Sequence, residues 1–270
     1  MEAMPTILAR IATRFDADFE PLAVDGEELH VLTIRDMQRH LESVAKSPSL
    51  SDPLRQLPLW AKIWPASLVL GRLLRHFRPD GRRLLELGGG VGVASLIAAR
   101  HGFARITLTD ANADALDFAR ANVLRNGLEN VVEVRHCDVT RPPDFDEPFD
   151  IIAAAELLYL DELHRPLTKL LARHLAPGGI AVLCTEAKRR KPHFLKLAQR
   201  DFAIDQRHVR IKTNEDGETA ASMLDVTVLT RKGDPPWEPR QADDKGKDDD
   251  KGKADDKGKE GGGDAAAPQA

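Results

Sequence analysis

The sequence predicts an α/β fold, a doubly wound and mostly parallel seven-stranded sheet with an antiparallel C-terminal hairpin. Three observations carry that expectation. Strand-like and helix-like stretches alternate between residues 82 and 186, a glycine-rich turn directly follows the first of those strands, and two β-rich runs with a short polar link close the pattern. Alternation implies right-handed βαβ crossovers and a parallel sheet covered on both faces, and adjacent strands with a short link imply an antiparallel hairpin at one edge.

Residues 1–50 read as a small hairpin and helix extension. FEPLAV and ELHVLTI flank Asp25-Gly26, a dipeptide suited to a hairpin turn, and RDMQRHLESVAK follows with Met37, Leu41 and Val44 on one helical face. Such a hairpin shields one side of a substrate cleft or covers a sheet edge, and the residues do not choose between these. Residues 51–232 hold the main domain. RRLLEL is a strand and VASLIAARH a helix; RITLT is a strand and NADALDFARANVLRN a helix that Gly127 terminates in the left-handed conformation. VVEVRH, FDIIAAA and IAVLCTE are further strands, with DELHRPLTKLLARHL a helix closed by Pro177-Gly178-Gly179. The last strands, 208–213 and 223–230, flank Asp216-Gly217. From Gly233 the composition changes: Asp-Lys-Gly-Lys recurs at 244, 250 and 256 with almost no apolar residues between, so 233–270 is expected to be a disordered, charged tail.

Composition excludes several classes. With 270 residues and 42% hydrophobic content the chain is long enough to bury a sizeable core. A formal net charge of -4 supplies no global basic field, so no nucleic-acid partner is expected. Cys137 and Cys184 lie far apart without metal-ligand spacing, which fits small buried hydrophobes in a reducing compartment. The nine histidines form no zinc-binding pair, and no metal is expected. The N-terminus has no signal-peptide pattern and no apolar run has membrane-spanning length, so the expectation is a cytoplasmic protein without membrane contact. The oligomeric state is left open.

Ligands of such sheets sit beyond the carboxyl ends of the strands, which directs attention to LLELGGGVG, residues 84–92. Gly88 and Gly90 begin a dinucleotide pattern, but Val93 stands where its third glycine belongs and Gly92 falls one residue early. No Gly-Lys-Ser/Thr follows, which excludes a nucleotide-triphosphate P-loop. The stretch reads instead Glu-x-Gly-x-Gly-x-Gly: Glu86, Gly88, Gly90 and Gly92. Asp110 ends the next strand, 18 residues past Gly92, where an acid accepts from both ribose hydroxyls or caps a helix, a task that also suits Asn112 or Asp114. His136-Cys137-Asp138 follows VVEVR, and FDIIAAAELLYLDEL sets Glu156 and Tyr159 at the end of the fourth strand.

Over about residues 55–232 these landmarks resemble the class I, seven-stranded S-adenosylmethionine-dependent methyltransferases. The resemblance implies a Rossmann-like methyltransferase fold and S-adenosyl-L-methionine as cofactor. It implies that the loop Glu86–Gly92 passes under the amino-acid part of the cofactor, that Asp110 holds the ribose, that Asp138 and Val139 meet the adenine, and that Ala155 borders the same site. Glu86 either holds the cofactor's ammonium through water or braces the loop. Glu156-Leu157-Leu158-Tyr159 departs from the Asn/Asp-Pro-Pro-Tyr of amide-nitrogen methyltransferases and is similar to the Asp/Glu-x-x-Tyr of the branch that methylates lysines of non-histone proteins. LPLWAKIWPASLVLGRLL, residues 57–74, resembles that branch's tryptophan-containing segment, which implies Trp64 beside the cofactor, with Trp60 one turn earlier on a helix shared with Leu68. The implied activity is methyl transfer to a lysine side chain of a cytoplasmic protein, with Glu156 and Tyr159 facing the acceptor. The rivals are a small-molecule N-methyltransferase on the same fold and a non-catalytic binding protein.

An acid and a tyrosine suit that chemistry. A free lysine is neutral in about one molecule in 2,500 at pH 7, a cost of about 4.6 kcal/mol. A carboxylate attracts and orients the ammonium but also raises its pKa, so Glu156 suits positioning better than base catalysis. The basic run Lys188-Arg189-Arg190-Lys191 either steers an acidic surface or is a solvated approach to the helix at Pro192.

Overall fold

The central strands of the main sheet are mostly apolar because both of their faces are covered. In β3 (Arg83–Leu87), Leu84 enters one core cluster while Leu85 and Leu87 enter a second. The same division holds in β6 (Phe149–Ala155), with Ile151 and Ala153 on one side and Ile152 and Ala154 on the other. A period of two in a strand buried on both sides gives this continuous apolar run. The computed structural model describes residues 2–39, 42, 57–77, 79, 81–189, 191–215 and 218–235, without the side chains of 213–215 and 218–220.

Seven strands form the sheet in the order β5 (Val132–His136), β4 (Arg105–Asp110), β3, β6, β7 (Leu175–Glu186), β9 (Glu218–Arg231), β8 (Phe202–Glu215). The first five pair in parallel, and β9 is antiparallel to both β7 and β8. This is the doubly wound sheet with an antiparallel terminal hairpin that the sequence predicts. Helices α2 (Pro65–Leu74), α3 (Val93–Arg100) and α4 (Ala113–Arg125) bury Leu70, Ile97 and Phe118 on one face. The other face is covered by α5 (Asp161–His174) and α6 (Pro192–Ala198), through Leu167, Leu171 and Phe194. The strand order reverses between β3 and β6, and this switch point fixes where a ligand sits.

The leading hairpin forms as expected. β1 (Ala17–Val24) and β2 (Glu27–Ile34) pair antiparallel across Asp25 and Gly26, both at positive φ (52° and 87°), as a two-residue hairpin turn requires. It packs on α3 and α4 rather than on a sheet edge. Two asparagine-to-backbone links join it to α4: the amide of Leu32 donates to Asn122 Oδ1 in the interior (2.6 Å), and half-buried His30 exchanges two bonds with Asn126 (3.0 and 2.8 Å). A further helix, α1 (Met4–Ala12), precedes the hairpin and has no counterpart in the sequence expectation. It buries Ile7 and Ile11, worth roughly 1.5–3 kcal/mol each, and Arg10 forks onto Asp117 of α4 at 2.6 and 2.8 Å.

Three boundaries differ from expectation. The chain passes from α5 into β7 at Leu175, and Pro177-Gly178-Gly179 forms an irregularity inside β7, where Phe149 faces Leu175 but Ile151 faces Ile180. A Cβ at Gly179 would lie 2.9 Å from the carbonyl oxygens of Ala176 and Asp150, so this bend demands bare backbone. Strands β8 and β9 extend well beyond 208–213 and 223–230. The Asp216-Gly217 turn, most of the helix expected after Met37, Arg190 and residues 236–270 lie outside the described residues.

Candidate active site

The carboxyl ends of β3, β4, β5 and β6 surround a cavity of about 460 Å³, within the range of small-molecule sites. Its wall includes Trp64, Glu86, Gly88, Gly90, Asp110, Asp138, Val139, Ala155, Glu156 and Tyr159. Gly92 alone of the sequence-derived site residues stands outside the wall, as the left-handed N-cap of α3 with φ 87°.

The glycine loop is shaped first by the protein itself. Gly90 has φ 55°, and a Cβ there would come within 2.4 Å of the Trp60 carbonyl oxygen. At Gly92 a Cβ would meet Leu108 at 2.4 Å. Glu86 lies behind the loop, 2% exposed, and its Oε2 accepts from both the backbone N–H and the hydroxyl of Ser95 in the first turn of α3. It therefore supplies the cap that Gly92 cannot, which favours the bracing role over contact through water. Burial pushes its pKa up to about 7.

Asp110 is oriented by backbone donors. Its Oδ2 accepts from Gly90 (2.9 Å) and its Oδ1 from Asn112 (2.8 Å), while Asn112 Oδ1 itself caps α4. With Ala111 a third backbone donor, the four acceptor positions of the carboxylate are not all taken, so the side chain retains capacity for a hydroxyl donor. Burial raises its pKa. Asp138 closes a tight turn through the N–H and hydroxyl of Thr140 (2.8 and 2.7 Å), bonds that hold its pKa below the usual carboxylate value. Val139 beside it is buried and apolar.

The two tryptophans do not share a helix. Trp60 sits in a 3-10 turn, Leu59–Ala61, and Trp64 is the extended N-cap of α2. Pro65 is the reason, since the residue before a proline is pushed away from helical geometry. Trp60 packs edge-on against Phe118 and Phe15, at 5.0 and 5.6 Å, between the core and the cavity wall. Trp64 lines the cavity, its indole N–H bonded to the Leu59 carbonyl at 2.9 Å and Lys62 Nζ 4.9 Å from its ring centroid.

At the opposite wall, Glu156 has φ 51°, a backbone conformation that costs a side chain about 1–3 kcal/mol. It does not cap α5, whose N-cap is Leu160. Its amide donates to the Cys184 carbonyl (2.9 Å) and its Oε1 accepts from the Glu186 amide (2.8 Å), so the acid is anchored to the end of β7. Burial raises its pKa. Tyr159 stands at the rim, 40% exposed. The basic run is divided: Lys191 is buried against Asp225 and Thr185, at 2.8 and 2.6 Å, and Arg189 reaches Glu156. Leu157 and Arg189 also line the wall: Leu157 falls inside the Glu156–Tyr159 motif and Arg189 inside the basic run, but the sequence reading singles out neither as a site residue.

These residues fit S-adenosylmethionine: close backbone approach at Gly88–Gly90, an oriented acid with free acceptor sites, and an apolar wall at Val139. The comparisons agree. A family model described as "Methyltransferase domain" matches residues 84–179. Protein N-lysine methyltransferase METTL21A of Danio rerio is 32% identical over 170 residues, covering 59% of this chain and 76% of that protein. Among solved structures, a SAM-dependent methyltransferase from Agrobacterium tumefaciens superimposes with TM-score 0.55 at 17% identity, covering 82% of this chain and 79% of that one. The 16S rRNA N2 G1207 methyltransferase of T. thermophilus, in complex with AdoMet and guanosine, gives TM-score 0.54 at 20% identity over 80% of this chain and 50% of that one. On sequence, sheet order and cavity together, this chain belongs to the class I S-adenosylmethionine-dependent methyltransferases.

Proposed function

We propose that the protein transfers a methyl group to the side-chain nitrogen of a lysine in a cytoplasmic protein. The observation that carries this reading is Glu156, a carboxylate on the cavity wall at the end of β6 with only 11% of its side chain exposed, and Tyr159 at the rim of the same cavity. The similarity to METTL21A supports it.

The cofactor, when bound, supplies a methyl group carried on a sulfonium. In this reading the Gly88–Gly90 backbone, Asp110, Asp138, Val139, Ala155 and Trp64 hold it, Glu86 and Gly92 support the loop from behind, and the acceptor approaches past Tyr159. Glu156 draws in the ammonium and orients it, and Tyr159 flanks the amine. The proton leaves to water before the lone pair is used, because a carboxylate that steadies the ammonium is a poor agent for removing its proton.

Incubation of a cell lysate with the full-length protein and methyl-tritiated S-adenosylmethionine tests the reading. Label is expected in protein bands and, after acid hydrolysis, as methyl-lysine. Label confined to small molecules, or to another amino acid, would overturn it.

A further inference from the structure

The two oxygens of Glu156 are treated differently. Oε1 takes the Glu186 amide at 2.8 Å. Oε2 is fully covered and accepts no hydrogen bond among the described residues, although Arg189 Nε lies 3.1 Å away. The guanidinium thus compensates the charge while its N–H is not aimed at the oxygen, leaving the donor place at Oε2 unfilled. The Arg189 side chain is 40% exposed and lines the cavity, and Glu156 is its only ion-pair partner among the described residues.

Other charges around Glu156 are committed elsewhere. From β7, Glu186 opposes ionisation and pairs with Lys188 at 3.0 Å, and the buried Cys184 thiol is pushed up to about 12. Lys191 is bound to Thr185 and to Asp225 of β9, which also contacts His208 Nδ1 of β8 at 2.7 Å. The same cavity wall also carries Lys62, Tyr159, Glu162, Glu86 and Asp110.

We propose that Arg189 is a positioning residue, the resident counter-ion of Glu156: it keeps that carboxylate ionised and aimed while the site is empty, and yields to the acceptor ammonium, whose N–H groups fill the place at Oε2. The second half rests on the lysine-acceptor reading; the first does not. Burial works against ionisation of Glu156, while the Glu186 amide, the Arg189 cation and, more weakly, Lys191 work for it; of these, Arg189 is the one whose side chain also lines the cavity. A guanidinium that is exposed at its outer side and poorly aligned at its inner side exchanges readily for a better donor.

The first half is tested on the enzyme alone, by NMR titration of the full-length protein carrying carboxyl-¹³C glutamate, with the Glu156 signal assigned through Glu156→Gln. Arg189→Gln is expected to raise the Glu156 pKa by about one unit or more, with Arg189→Lys close to wild type. A Glu156 pKa unmoved by Arg189→Gln would overturn the proposal. The second half is read on the protein bands labelled in the lysate. The acid limb of kcat/KM, which reports the free enzyme, should move upward in Arg189→Gln and return in Arg189→Lys. A uniform loss of rate at every pH, accompanied by a lower Tm, would reduce Arg189 to a structural residue. Absence of methyl-lysine defeats the acceptor reading alone, since the titration still decides the role of Arg189.

Discussion

The two sides of the cavity are finished to different degrees. On the β3–β4 side, the Asp110 carboxylate holds Gly90 and Asn112, Glu86 holds Ser95, and the loop glycines answer to neighbouring protein atoms. On the β6–β7 side, Glu156 holds one strained backbone position, one satisfied oxygen and one that lacks a donor. In the proposed reading the β3–β4 side, which would hold the cofactor, is set before anything binds, and the β6–β7 side is completed by the acceptor. Such a division suits a methyltransferase, which takes the same methyl donor at every turnover and a separate acceptor beside it.

Breaking the finished side should cost stability as well as binding. The largest effect is expected for Gly90→Ala, because the added Cβ meets a backbone carbonyl at 2.4 Å and takes on a left-handed φ. A loss of about 2–5 kcal/mol in urea unfolding is expected, along with cofactor binding. Wild-type stability in that variant would show that the loop has room to spare.

Glu86 sharpens the contrast through pH. Its folded pKa, about 7, lies above the ordinary carboxyl value of 4.5, so the native state binds the extra proton. The resulting stabilisation is full below the unfolded pKa and is lost as pH rises through 7. From pH 4.5 to 8 this amounts to about 3 kcal/mol. Glu86→Gln should therefore gain on wild type as pH rises in denaturant melts; parallel curves for the two proteins would contradict the assignment. A smaller effect is expected for Asn122→Ala, which strands the Leu32 amide and the Val91 carbonyl. Hydrogen exchange at Leu32 should accelerate, with a loss of about 2 kcal/mol in stability. Unchanged exchange would mean that the Asn122 link does not hold the hairpin.

The sequence spoke most clearly where structure repeats locally. Strands β3 to β7, the Asp25-Gly26 turn and the spaced glycines all follow from patterns a few residues long. The cavity-wall positions from Glu86 to Glu156 followed too, because the ends of successive strands converge on one side of a parallel sheet. Hidden from that reading were contacts made across the fold: the Trp60 carbonyl against Gly90, and Arg189 beside Glu156. Trp64 was placed on a helix because its apolar spacing outweighed Pro65, whose ring sets the helix start. Strand β8 was read too short because Asp205 to His208 are exposed and give no apolar alternation.

The division between the two sides is tested most directly by Glu156→Gln, measured for S-adenosylmethionine affinity by calorimetry and for methyl transfer into the labelled lysate proteins at saturating acceptor. Cofactor affinity is expected to stay within about threefold of wild type, while turnover falls by about a hundredfold or more. Turnover equal to wild type, or a loss of cofactor binding matching the loss of rate, would contradict the account.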